Sequence, residues 1–161
     1  SIFLITISQY NLPIMKELLY LKDDQIKDFI QLLFYAYRET FSDPREILAK
    51  NSFGPAHLRA INLIERNPGT NLGELMYQLK ITKQSLNRVL RDLLKSKMIK
   101  QIKDQEDTRK KNLFLDKDGK IFFDKIYDTQ KKRIFNALKN SEPGSVIKFK
   151  EVLNRIINGK N

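Results

Sequence analysis

The chain has 161 residues and a mass of 19.0 kDa, enough for one compact domain with its own core or for a small domain plus dimerisation helices. Hydrophobic residues make up 41% and charged residues 30%, which excludes wholesale disorder, and no run of about 18 apolar residues is present to span a membrane. Zero Cys and one His exclude disulfides, thiol redox switching and a thiolate metal site, while a formal net charge of +11 points to a polyanionic partner.

Ser1 to Gln9 (SIFLITISQ) is apolar and β-branched, but it lacks the basic leader and cleavage motif of a signal peptide. It is expected to be an N-terminal arm packed on a partner subunit, the alternative being an upstream extension ahead of a start at Met15. From a cap at Asp23 or Asp24 to about Phe41, the spacing of Ile26, Phe29, Ile30, Leu33, Phe34 and Tyr37 predicts a helix. Its apolar surplus suggests burial between its own lobe and a partner chain. Ser42-Asp43-Pro44 ends it, and Arg45 to Asn51 is expected to be a connector. Pro55 to Arg66 is the next helix, with Leu58, Ile61, Leu63 and Ile64 apolar and Asn67-Pro68-Gly69 as its stop. His57, near its start, reads either as a capping or surface residue or as part of a ligand pocket.

Leu72 to Leu79 (LGELMYQL) is a short helix with Leu72, Leu75, Met76 and Leu79 inward. Only Lys80 and Ile81 separate it from Thr82, whose hydroxyl suits a helix N-cap. Beyond that cap Leu86, Val89, Leu90, Leu93 and Leu94 form one apolar stripe, leaving Gln84, Asn87, Arg88, Arg91 and Lys95 on the opposite face. Two short helices joined by so tight a turn make a helix-turn-helix. Lys83, Gln84 and Ser85 sit in the first turn of the second helix, the part that meets base edges in such a motif. Gln and Asn can bond adenine in two places, and Arg can do the same with guanine. Taken alone, a cationic helix face is usually just solvated; its neighbours decide the matter. Met98 to Lys103 (MIKQIK) reads as an alternating strand, Asp104 to Lys111 as a polar loop and Asn112 to Asp116 as a second strand, together a hairpin or wing. Residues 80 to 111 carry eleven Lys and Arg against four Asp and Glu, a net +7, whereas the other 129 residues net only +4. A charge excess concentrated on the reading element is the footprint of a nucleic-acid partner.

Lys117 to about Lys139 is predicted as a long amphipathic helix carrying Ile121, Phe122, Ile126, Ile134, Phe135 and Leu138, with Lys131, Lys132 and Arg133 as a basic cluster. Glu142-Pro143-Gly144 breaks it, and Val146 to Ile157 forms a last helix. These helices either build a dimer interface, the favoured reading, or cover the same core. No catalytic set emerges: there is no Ser/His/Asp or Cys/His group and no Gly-rich phosphate loop among the six Gly. Asp104, Glu106 and Asp107 cluster at a hairpin tip among Lys and Arg, a setting without the dry pocket that general acid catalysis needs. The expectation is no enzyme, no cofactor and no metal.

The order of the Asn67-Pro68-Gly69 turn, LGELMYQLKIT, TKQSLNRVLRDLLKSKMIK, D-x-x-D-x-R (Asp104, Asp107, Arg109) and LFLDKDGK resembles the MarR family of bacterial transcriptional regulators over roughly Pro55 to Phe123. The resemblance implies a mainly α fold with a small β-hairpin wing (α+β), a winged helix-turn-helix with N- and C-terminal dimerisation helices. The divisions are 1–50 for the arm and dimerisation helix, 51–116 for the DNA-binding lobe and 117–161 for the C-terminal dimerisation helices. It implies a homodimer on double-stranded DNA, a recognition helix (Thr82, Lys83, Gln84, Ser85, Asn87, Arg88, Arg91) in the major groove and a wing (Asp107, Arg109, Lys110, Lys111) at the minor groove. There Asp107 would orient Arg109, and Lys110 and Lys111 would sit on phosphates.

Effectors in that family often bind between the dimerisation helices and the DNA-binding lobe, which here implies a small-molecule pocket near Phe34, Tyr37, His57, Arg59 and Phe122, although the apolar residues of such a set are commonly plain core. Two positions depart from the pattern. Lys97 stands where the family usually has Gly, so a left-handed cap there must be strained or absent, and Asp116 replaces the usual Thr. The expected function is a sequence-specific repressor acting as a homodimer on a pseudo-palindromic operator, cytoplasmic and nucleoid-associated, with no membrane contact. The alternative is a winged-helix module for nonspecific nucleic-acid or protein binding.

Overall fold

The computed structural model describes residues 19–159; the Ser1 to Gln9 arm and Met15 lie outside the described residues. The chain divides between Thr40 and Phe41 into two compact units. Most of α1 (Asp23–Ser42) belongs to the first. Asp23 and Asp24 occupy its first turn, where carboxylates meet the positive end of the helix dipole. Ile26, Phe29, Ile30, Phe34 and Tyr37 are exposed and Leu33 is half-buried.

In the second unit the expected connector after Pro44 is instead a short helix, α2 (Arg45–Lys50). The Leu48 amide donates to the Pro44 carbonyl at 3.0 Å, and Leu48 is its one buried residue. A single anchor in six residues is too little for periodicity to register. Then come α3 (Pro55–Arg66), α4 (Leu72–Leu79) and α5 (Lys83–Lys95), each with the bounds that its apolar spacing and caps predict. Leu58, Ile61 and Ile64 of α3, Leu75 of α4 and Leu86, Val89, Leu90 and Leu93 of α5 converge in one core with Phe122 and Ile126. Each fully buried Leu or Ile contributes about 1.5–3 kcal/mol, so this cluster fixes α5 against its scaffold.

Strands β1 (Ile99–Lys103) and β2 (Lys111–Leu115) pair antiparallel, Ile99 opposite Leu115 and Lys103 opposite Lys111. The first strand begins one residue later than expected and ends where expected, whereas the second lies one residue earlier, so that Lys111 belongs to the ladder rather than the loop. Ile99 and Ile102 are three apart, hence on opposite faces of a strand; Ile99 is buried and Ile102 is half exposed. A third backbone piece braces the wing's base: the Gly69 amide donates to the Leu113 carbonyl at 2.8 Å and the Leu113 amide to the Thr70 carbonyl at 2.7 Å.

Lys97 takes the left-handed conformation with φ +57°. The Met98 amide reaches the Leu93 carbonyl at 2.9 Å and the Lys97 amide the Leu94 carbonyl at 3.0 Å, the pair of bonds that defines a Schellman cap. The cap is thus present, and strained, without glycine. Asp116 serves as N-cap of α6 (Lys117–Lys139), its carboxylate accepting from the Lys117 amide at 2.9 Å. In the first turn of α6, Gly119 lies so close to the Met98 carbonyl that a Cβ there would stand 1.8 Å from its oxygen. The glycine of the LFLDKDGK segment is therefore a contact requirement.

The last helix, α7 (Pro143–Asn158), begins earlier than expected. Pro143 occupies its first turn, and the Glu142 carboxylate caps the Gly144 and Ser145 amides at 2.9 and 2.8 Å, which holds that carboxyl below its usual range. No residue of α7 is buried, and Ile134, Phe135 and Leu138 of α6 are also exposed. In the basic cluster of α6, Arg133 is forked onto Asp43, with Nε to Oδ2 at 2.6 Å and Nη2 to Oδ1 at 2.7 Å. Among the described residues no helix is long and apolar enough to cross a membrane.

Candidate nucleic-acid interface

The turn into α5 is made by Lys80, whose left-handed φ of +50° redirects the chain while its amide closes α4 on the Met76 carbonyl. Thr82 then caps α5: its Oγ1 accepts from the Ser85 amide at 3.2 Å and donates to Ser85 Oγ at 2.9 Å. That donation leaves the Ser85 hydroxyl hydrogen free to point outward. Lys83, Gln84, Ser85, Asn87, Arg88, Arg91 and Lys95 are all exposed.

An open cleft of about 830 Å³ separates α5 from the wing. Asn87, Arg91 and Lys95 line its helix side, Gln101, Arg109, Lys110 and Lys111 its wing side, and Asn71, Leu72 and Gly73 at the start of α4 its end. At about 100° per residue, Asn87, Arg91 and Lys95 form one ridge, one helical turn apart each. Gln84 and Arg88 lie on the next ridge and do not line the cleft. The polar face that periodicity presents as one surface is therefore two. One, Asn87, Arg91 and Lys95, faces the wing across a cationic cleft; the other, Gln84 and Arg88, lies outside it.

The wing tip is ordered by two carboxylates. Asp104 Oδ1 accepts from the Glu106 and Asp107 amides at 2.9 and 3.0 Å, and its Oδ2 accepts from Asn112 Nδ2 at 3.1 Å. The Asp107 amide first, then Asn112 and the Glu106 amide, hold the Asp104 carboxyl below its usual range. Asp107 Oδ1 accepts from the Arg109 amide at 3.1 Å and from Arg109 Nε at 3.2 Å. Arg109 is aimed from its base while its side chain stays 91% exposed. Lys103 and Lys111 face each other directly across the ladder, a like-charge pairing that destabilises a hairpin and that an anion beside it would relieve. The organising role of Asp104 was not visible in the sequence beyond its place in the D-x-x-D-x-R pattern. Its signal was an Asp two and three residues before the amides it caps.

His57 is a capping residue. Its Nδ1 accepts from the Gly54 amide at 3.1 Å, its Nε2 lies 2.9 Å from Asp92 Oδ2 on α5, and its ring stacks on Phe53 at 4.9 Å. Phe53 in turn meets Phe122 edge-on at 5.6 Å. Phe122 is buried core and Arg59 is half-buried, whereas Phe34 and Tyr37 are exposed on α1 of the other unit.

The sequence model of the MarR family matches residues 52–110, the span from the end of α2 through the wing tip. Over 136 residues the chain is 37% identical to the HTH-type transcriptional regulator PetP of Rhodobacter capsulatus, covering 84% of this chain and 82% of that protein. The chain belongs to the MarR family of transcriptional regulators. Solved structures agree in fold. FabT of Streptococcus pneumoniae in complex with DNA superposes with a TM-score of 0.70 at 14% identity, covering 85% of this chain and 96% of that one. NadR in complex with 4-hydroxyphenylacetate gives 0.69 at 21% identity, covering 80% and 91%. The hairpin is thus the wing of a MarR winged helix, and α4 and α5 are its helix-turn-helix.

Proposed function

We propose that this MarR-family regulator is a homodimeric repressor that reads a pseudo-palindromic operator. The observation that carries the reading is the cleft: Arg91 and Lys95 of α5 and Arg109, Lys110 and Lys111 of the wing, five of the eleven cations of the +7 segment, surround one open space that a sugar-phosphate backbone can enter. In this reading Lys83, Gln84, Ser85 and Arg88 meet base edges in the major groove. Asn87, Arg91, Lys110 and Lys111 hold the sugar-phosphate strand that passes between helix and wing. Arg109, steered by Asp107, enters the minor groove, where a narrow groove concentrates negative potential.

Dimerisation is supported by the exposed apolar residues of α6 and α7, Phe135, Leu138, Ile147, Phe149 and Ile156 among them, which a lone chain leaves wet. Two such heads would dock about 34–36 Å apart. Release by a small ligand completes the proposal, supported by the ligand-bound NadR structure of the same fold.

The test is binding to the chain's own upstream intergenic DNA against scrambled DNA of equal length at about 150 mM salt, where phosphate attraction alone is largely suppressed. A preference of about a thousandfold is expected, with a two-fold footprint, and both Arg88→Ala and Arg109→Ala should reduce it. Equal affinity for the two DNAs would replace this reading with nonspecific association.

A further inference from the structure

Asp92 is the only acidic residue on α5, and it stands four residues after Arg88, the spacing at which side chains on a helix are neighbours and opposite charges pair. An Arg88–Asp92 fork would cover the guanidinium and cancel its charge. Yet Arg88 makes no side-chain hydrogen bond or ion pair among the described residues; the Asp92 carboxylate is engaged instead by His57 Nε2 at 2.9 Å.

The chemistry of His57 makes that engagement directional. Because its Nδ1 accepts from the Gly54 amide, the neutral ring carries its hydrogen on Nε2 and must donate to Asp92. The Phe53 stack fixes the plane of the ring, and the imidazole is only 12% exposed while Asp92 is 44% exposed. The anchored partner therefore dictates the rotamer of the exposed one. It holds the carboxylate, one turn beyond Arg88 on the same ridge, against His57 of α3.

We infer that His57 is a positioning residue for DNA reading: by holding Asp92 against α3 it keeps the Arg88 guanidinium uncommitted and available to a base edge. The inference rests on the proposed base-reading role of Arg88. It adds that specificity depends on a mostly covered residue in the first turn of α3, outside both α5 and the wing.

The experiment uses full-length protein, a duplex selected by the wild type from a random-sequence library, and a scrambled duplex of equal length, at about 150 mM salt. The readout is the ratio of the two affinities, in which a general change of charge cancels. Arg88→Ala should lower the ratio about tenfold or more. His57→Phe, which keeps the ring stack but cannot donate, should lower it severalfold. His57→Phe combined with Asp92→Asn should restore it to within about twofold, because an amide no longer attracts the guanidinium. Should loss of the Gly54 cap prevent His57→Phe from folding, His57→Glu supplies the acceptor of a capping box without a hydrogen for Asp92, and the same recovery with Asp92→Asn is expected. A loss in Arg88→Ala without a loss at His57, or a loss at His57 that Asp92→Asn does not recover, overturns the inference and leaves His57 a structural cap. An undiminished ratio in Arg88→Ala overturns the base-reading role itself.

Discussion

Gly119→Ala should destabilise the protein by about 2 kcal/mol even though alanine is the better helix former. A Cβ at position 119 would lie 1.8 Å from the Met98 carbonyl oxygen and 2.7 Å from its carbon. Non-bonded contact begins near ~3.5 Å, so the first turn of α6 must back away by more than about 1.5 Å. Neither partner can yield as a flexible side chain would, since the obstacle is main chain. The same carbonyl accepts the Asp116 amide at 2.9 Å, and that bond, worth about 1 kcal/mol, is lost when the turn retreats. Forced overpacking adds about 1–3 kcal/mol, and the helix propensity of alanine returns about 1 kcal/mol.

Urea unfolding at fixed protein concentration, which holds any oligomer contribution constant, should show the midpoint falling by about 1 M with an unchanged slope. DNA affinity should fall as well, because Met98 joins the end of α5 to β1. A midpoint equal to or above that of the wild type would refute the close approach of α6 to Met98.

Asp104→Ala should weaken DNA binding severalfold although it removes a negative charge from the interface, because three donors at the wing tip lose their acceptor; faster amide exchange at Glu106 and Asp107 should accompany it, and tighter binding would show that charge outweighs geometry there. Arg133, first through its hydrogen bonds and then through its charge, holds the Asp43 carboxyl below its ordinary 3.8 in the folded protein. Its contribution to stability is therefore complete well above that value and is lost as the pH falls below it. Asp43→Asn should lower thermal stability at pH 7 and converge with the wild type toward pH 3. Lys97→Gly should stabilise by about 0.5–1 kcal/mol, since glycine removes the left-handed penalty but is freer when unfolded; urea midpoints decide it.

The α3, α4 and α5 boundaries were legible because apolar spacing, Thr82 and Asn67-Pro68-Gly69 all act within a turn of where they stand. So was the exposed polar face of α5, as a set of residue types. What the sequence hid depends on partners distant along the chain. The division of that face into a cleft ridge and an outward ridge requires the wing to fold back beside α5. The His57–Asp92 contact joins positions 35 apart, and the Thr70 brace on Leu113 joins positions 43 apart; neither has a local pattern. Lys97 shows the opposite case: its local preference argued against a left-handed cap, and burial of Leu93 and Ile99 on either side overrode it. The helix α2 leaves no periodic pattern because its contacts with the core are the adjacent Leu48 and Ile47, with no further apolar anchor a turn away.

The wing tip is folded onto its own carboxylates before any DNA arrives. Ordering a loop usually belongs to the binding event and lowers affinity by its entropy; here that ordering is completed when the chain folds. Association should then be governed by long-range attraction and lie near the electrostatically steered limit, falling steeply with salt. Sequence discrimination should appear in the lifetime of the complex, which is how a regulator can scan many sites quickly and linger at few.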